Sequence, residues 1–349
     1  MKSPLMNQNN KHVSNATQIG LQTNNYGLDY INTKTLCTDL IKSELEIYRK
    51  EAEITAQKRE IELLNKLFEL LHTEKITDDT VCEEFKNPDM QYTYVEAQKS
   101  YIRLGTQDLQ AILSNLLVSR IKENRRTLLQ IALSEAITVV PMLLPEQLDL
   151  LAICFRLRYT ISHNINNLAS LINYLHNNII PHVSNTPPKE SLFQHMVYAK
   201  TGTIELASII LENIFMETYG GLFLNGYTQD EIHDYYINYP QYFTHCLQDN
   251  SKYQINAINL ENLNDRLKAD TTLNDTDRNY LREHFSSNLM TESQIREYIL
   301  TEIPESKKLF ELWNGTSLKQ FSLTSVGIVL GASQSKKITG ENYNMSIWI

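Results

Sequence analysis

Between Gly105 and Gly202 the chain contains no glycine, and between Gly27 and Pro88 it contains neither glycine nor proline. Gly supplies φ > 0, and Pro removes a donor and locks φ, so both punctuate a backbone. Strand-rich folds need such residues at their many turns. A chain that does without them over these spans is built mainly from helices. The expected fold class is mostly α: an extended helical body, one long N-terminal helix, and a small C-terminal α+β, winged-helix-like cap.

The 349 residues leave room for two or three domains or one extended body, and a 42% hydrophobic content supplies a core. A net charge of −9 argues against a general nucleic-acid coat and against anionic membranes. Cys37, Cys82, Cys154 and Cys246 form no CxxC pair, the usage of a reducing cytoplasm. No run is apolar enough to span a bilayer, and Asn and Gln follow Lys2 where a secretion signal would be apolar.

Four regions are expected. Residues 1–31 are an Asn/Gln-rich arm, too polar to offset ordering entropy, with a short strand at Thr17–Gln22. Residues 32–226 are a helical domain, 227–303 a second helical region and 304–349 the α+β cap.

One helix is expected from Asn32 to about Leu71, capped by Thr33 or Thr35. Ile41, Leu45, Tyr48 and Ala52 follow +4, +3, +4 spacing, a heptad seam. Ile61, Leu64, Phe68 and Leu71 restart it in another phase, so two partners along one helix fit better than one continuous coil. Further helices are expected near 91–103, 107–123, 125–138, 145–158, 163–180, 189–200 and 203–218. Shorter ones follow near 228–238, 260–269, 276–286, 292–302 and 305–313. The C-terminus reads as a strand at Lys319–Leu323, a helix capped by Thr324, and a terminal strand from Asn344 to Ile349 paired with the first.

Three segments carry a resemblance. Asn15-Ala16-Thr17-Gln18-Ile19-Gly20-Leu21-Gln22 resembles an NSTQIQ-type motif of bacterial conflict-associated proteins. Pro145-Glu146-Gln147-Leu148-Asp149, with Phe155-Arg156-Leu157-Arg158-Tyr159-Thr160, is similar to a central signature of an uncharacterised bacterial family. Leu323-Thr324-Ser325-Val326-Gly327 and Met345-Ser346-Ile347-Trp348-Ile349 resemble that family's C-terminus. The resemblance implies a bacterial, cytoplasmic, mostly helical protein from phage-defence or mobile-element neighbourhoods. It brings no catalytic residues with it.

Nucleotide-binding glycine loops, GxSxG and HExxH are all missing, and the scattered cysteines offer no zinc site. No cofactor or metal is expected. Arg158 and His163 resemble the RX4-6H motif of HEPN ribonucleases, in which a His moves a proton at the 2′-hydroxyl and an Arg holds the phosphate. Tyr159 departs from that pattern, where a polar residue normally follows the Arg. The plainer reading makes Arg158 a helix end and His163 the start of the next helix.

Arg120, Lys122, Arg125 and Arg126 form the densest basic cluster, either a phosphate contact or a solvated helix end; the acidic total favours the latter. His176 and His182 straddle Pro181 and read as surface histidines. Tyr227, Tyr235, Tyr236, Tyr239, Tyr242 and Phe243 read more readily as a satellite core than as a recognition surface.

The function expected from this balance is a non-catalytic interaction protein, a homo-oligomeric scaffold or sensor that also offers a surface to a protein partner. An HEPN-like, metal-independent ribonuclease using Arg158 and His163 is the alternative, and a nucleic-acid-binding regulator acting through the C-terminal cap is the third.

Overall fold

A computed structural model describes residues 30–184 and 186–349. The arm and its Thr17–Gln22 strand therefore lie outside the described residues. The chain divides into two units, Met1–Ile54 and Thr55–Ile349. The first is described as the leading part of α1 (Tyr30–Thr73), where every residue from Lys34 to Ile54 is exposed. The helix starts before Thr33 and Thr35, so neither residue is its N-cap.

The second unit opens with the rest of α1, where Leu63, Leu67 and Leu71 enter the core at i,i+4 spacing. The helices α2 (Asp78–Phe85), α3 (Pro88–Leu104), α4 (Gln107–Lys122) and α5 (Leu128–Val139) follow. Each starts at a side-chain cap, Thr77, Asn87, Thr106 or Thr127, that accepts a backbone N–H of the first turn. Gly105 ends α3 in the left-handed conformation at φ 66°. Next come α6 (Pro145–Cys154), α7 (Leu168–Tyr174), α8 (Ile180–Val183) and α9 (Glu190–Tyr198). The helix of α6 continues into a π turn at Phe155–Tyr159.

Beyond α9 lie β1 (Gly202–Ile204), α10 (Leu211–Tyr219), α11 (Gln229–Asn238), β2 (Phe243–His245) and β3 (Tyr253–Ile255). The chain closes with α12 (Leu260–Ala269), α13 (Asp275–Ser287), α14 (Glu292–Glu302), α15 (Ser306–Gly315), β4 (Phe321–Leu323) and α16 (Ser325–Thr339). β2 and β3 form an antiparallel hairpin. A second core, including Ile232, Phe243, Ile255, Leu263, Leu281 and Phe285, joins that hairpin to α11, α12 and α13.

The mostly α reading, the long N-terminal helix and a small C-terminal α+β region are all present. That region is not peripheral. α16 starts at Thr324, whose hydroxyl accepts the Gly327 N–H, and packs against α6 and α5. Gly331 allows this, because a Cβ there would press on the Leu151 carbonyl at 2.6 Å.

Three details correct the sequence reading. The segment 344–349 is not a strand: Met345–Ile347 is a single 3₁₀ turn. The strand at Phe321–Leu323 pairs instead with β1, Gly202 facing Leu323 and Ile204 facing Phe321. The expected helix over 203–218 therefore starts only at Leu211, because its first residues are spent on β1 and a loop. Likewise the helix expected from 163 begins at Leu168, capped by Asn167, and leaves His163 in a connecting segment.

Candidate functional site

Between Lys34 and Ile54 the first unit presents apolar side chains to solvent. Ile41, Leu45 and Tyr48 are 59%, 59% and 57% exposed, and Ala52 is exposed beside them. A second row, unseen in the sequence reading, is Leu40, Ile47 and Ile54, at 55%, 50% and 66%. Its signal was present, since each member stands seven residues from the next. Large apolar groups gathered this way mark an interaction surface more often than a plain solvated face does.

In the second unit the other expected seam splits. Leu71 is buried and Leu64 half-buried, while Ile61 and Phe68 stay exposed at 57% and 56%. The residues that face the core are Leu63, Leu67 and Leu71, so the buried stripe meets the expected seam only at Leu71. Leu64, Phe68 and Leu71 line an apolar hollow of about 780 Å³ with Val81, Phe85 and Tyr94.

Arg158 and His163 line separate cavities. Arg158 borders a hollow of about 300 Å³ beside Glu217, and its Nη1 donates to the Phe321 carbonyl at 2.6 Å. His163 borders a different cleft, of about 500 Å³, which Tyr219 also lines. The guanidinium serves as a strut to β4, and among the described residues no carboxylate or cation lines the cleft of the imidazole.

The basic cluster also comes apart. Arg120 is fully buried, donating to Glu84 at 3.2 Å, to Asp89 at 2.8 Å and to Ser134 at 3.2 Å. It is therefore unavailable to a phosphate, which corrects the reading for that residue. Lys122 bonds Glu74 at 2.8 Å, while Arg125 and Arg126 are exposed in the turn before α5. In the C-terminal region Lys336 pairs with Glu74 and Lys337 with Asp108, so neither is a bare cation for nucleic acid.

His176 is exposed as expected, but His182 is buried. Its Nδ1 stands 2.7 Å from Asp149 Oδ1, which also accepts Gln334 Nε2 at 2.8 Å. The tyrosine segment packs as a half-buried ladder: Tyr235 stacks on Tyr280 at 3.4 Å, and Tyr280 on His284 at 3.6 Å. Of the thiols, Cys154 is fully buried, and burial pushes it up to about 12, which leaves it an inert apolar group.

Among the described residues no helix is long and apolar enough to cross a membrane. One family model, of an uncharacterised family, matches residues 27–349. No curated protein and no solved structure matches the chain.

Proposed function

Because the chain belongs to that family, whose model names no activity, we propose its function from geometry: a non-catalytic interaction protein that self-associates through the leading part of α1. The observation that carries the reading is the unbroken exposure of Lys34–Ile54 together with its apolar rows. Helices in proteins draw most of their stability from packing an apolar face. Burying each Leu or Ile against a partner contributes about 1.5–3 kcal/mol.

Charge selects the partner and its direction. With Leu45 and Ala52 at heptad position a and Ile41 and Tyr48 at d, Lys42 and Arg49 fall at e, and Glu44 and Glu51 at g. In an antiparallel pair e faces e and g faces g, which sets cation on cation and anion on anion. In a parallel pair Glu44 lies beside Arg49 of a second copy, an attractive contact. The partner is therefore a second copy of this helix in parallel register. Leu40, Ile47 and Ile54 fall at c, outside that seam, and offer a second face to a further helix.

Light scattering on the full chain tests this. Wild type is expected to be larger than a monomer at tens of micromolar, and Leu45→Asp with Tyr48→Asp to be monomeric with an unchanged melting temperature. A monomeric wild type would overturn the reading. The motif resemblance supports placing this scaffold in bacterial phage defence. Plating efficiency of phage on cells carrying wild type or the Leu45→Asp/Tyr48→Asp variant reads that out.

A further inference from the structure

The cleft that holds His163 lies between the main body and the β2–β3 hairpin. Its volume is about 500 Å³, within the range of small-ligand sites. Among the described residues, no side chain that lines it is Asp, Glu, Lys or Arg. Ile161, Ile165, Leu222, Leu247, Ala257 and Ile258 supply apolar wall, and the polar side chains are hydroxyl, carboxamide and imidazole.

The polar groups divide into those spent on the fold and those left over. Gln254 is spent: it donates to the Gly221 carbonyl at 2.8 Å and accepts the Leu247 N–H at 2.9 Å, holding the two walls together. The side chains of Ser162, His163, Thr244, Asn256 and Asn262 have no hydrogen-bond partner among the described residues. Tyr219, 5% exposed, accepts the Ser162 N–H at 2.9 Å, and its own proton has no acceptor there. Burial pushes that hydroxyl up to about 12, so it stays a donor at neutral pH.

We propose that this cleft binds an uncharged nucleoside, its heterocycle edge read by Asn256 and Asn262 and its sugar hydroxyls by Ser162, His163 and Thr244. A carboxamide presents a donor and an acceptor in one plane, the pattern that matches the edge of a base. Aliphatic walls suit the faces of a flat ring. With no Lys or Arg among the described lining residues, a phosphate gains no ion pair on entry and loses its hydration. This site is independent of self-association through α1.

Calorimetric titration of the full chain with adenosine, guanosine, cytidine and uridine tests the proposal. Their 5′-monophosphates and glucose are run alongside. One nucleoside is expected to bind with Kd on the order of 10–100 μM, its monophosphate no tighter, and glucose not at all. Asn256→Ala and Asn262→Ala are each expected to weaken binding about tenfold. Both side chains are exposed, so the variants keep the wild-type melting temperature. Should either melt early, Thr244→Val provides the same comparison. No nucleoside bound at millimolar concentration would overturn the proposal. So would tighter binding of the monophosphate, binding of glucose in place of a nucleoside, or undiminished affinity in the variants.

Discussion

Arg156 donates to Glu341 at 2.7 Å, tying a buried guanidinium in the π turn to a carboxylate just past α16. Tyr174, Ser335 and Tyr343 surround the same guanidinium. Burial opposes its charge, yet these neighbours hold its pKa above the ordinary arginine value. The C-terminal segment is thus clamped by charge and by rings: Trp348 packs edge-on to Phe155 at 5.1 Å and donates to the Tyr159 carbonyl at 2.7 Å.

Removing residues 344–349 is expected to destabilise the second unit by about 2 kcal/mol or more, since it strips Trp348 and the half-buried Met345 and Ile349 from the core. Thermal melts and binding of an apolar dye measure this. An unchanged melt would mean that the 3₁₀ turn merely rests on the surface.

Arg120→Met leaves Glu84 buried beside no cation. Breaking a buried pair from one side costs about 3–5 kcal/mol. Denaturant titration should therefore show a large fall in midpoint, whereas Arg126→Met, in an exposed turn, should leave it in place.

Gly221 has a conventional backbone but no room. Its N–H donates to the Ile258 carbonyl at 2.9 Å, and a Cβ would collide with the Ala257 carbonyl oxygen. Gly221→Ala is expected to cost about 1–3 kcal/mol by pushing the hairpin away from α10. Hydrogen exchange should show faster opening of β3 and the start of α12 in the variant.

Acid should loosen the link between α1, α4 and α16. The Glu74 carboxyl is held below its usual range by hydrogen bonds from Lys122 and Lys336. Its pKa is lower folded than unfolded, so its contribution is complete above the unfolded value of about 4.3. That contribution disappears as pH falls through the lower folded value. Glu341 adds to the same trend: burial opposes its ionisation, but Tyr343 and Arg156 still hold it low. Melting temperature is expected to drop below about pH 4, and Glu74→Gln to flatten part of that drop. Identical pH profiles for wild type and variant would contradict this.

Much of the helical inventory was legible because helix signals are local. Capping residues such as Thr106 and Thr324, Pro145 at a first helical position and the glycine-free spans depend only on nearby backbone. The elements α12 (Leu260–Ala269) and α14 (Glu292–Glu302) begin and end where the sequence placed them. The exposed row of Leu40, Ile47 and Ile54 is equally written in the seven-residue spacing.

The sequence by itself determined the helical class and the extent of α1 to within about two residues at each end, since periodicity and punctuation act within a few residues. Only the tertiary structure decided that Leu63, Leu67 and Leu71 form the buried stripe of α1, that β4 pairs with β1, and that Arg120 is consumed by Glu84 and Asp89. It also set Arg158 and His163 on different cavities and gathered Tyr219, Thr244 and Asn262 around one cleft. Such pairings join residues far apart in the chain. Their free energy comes from burial and charge satisfaction in three dimensions, which no local pattern encodes.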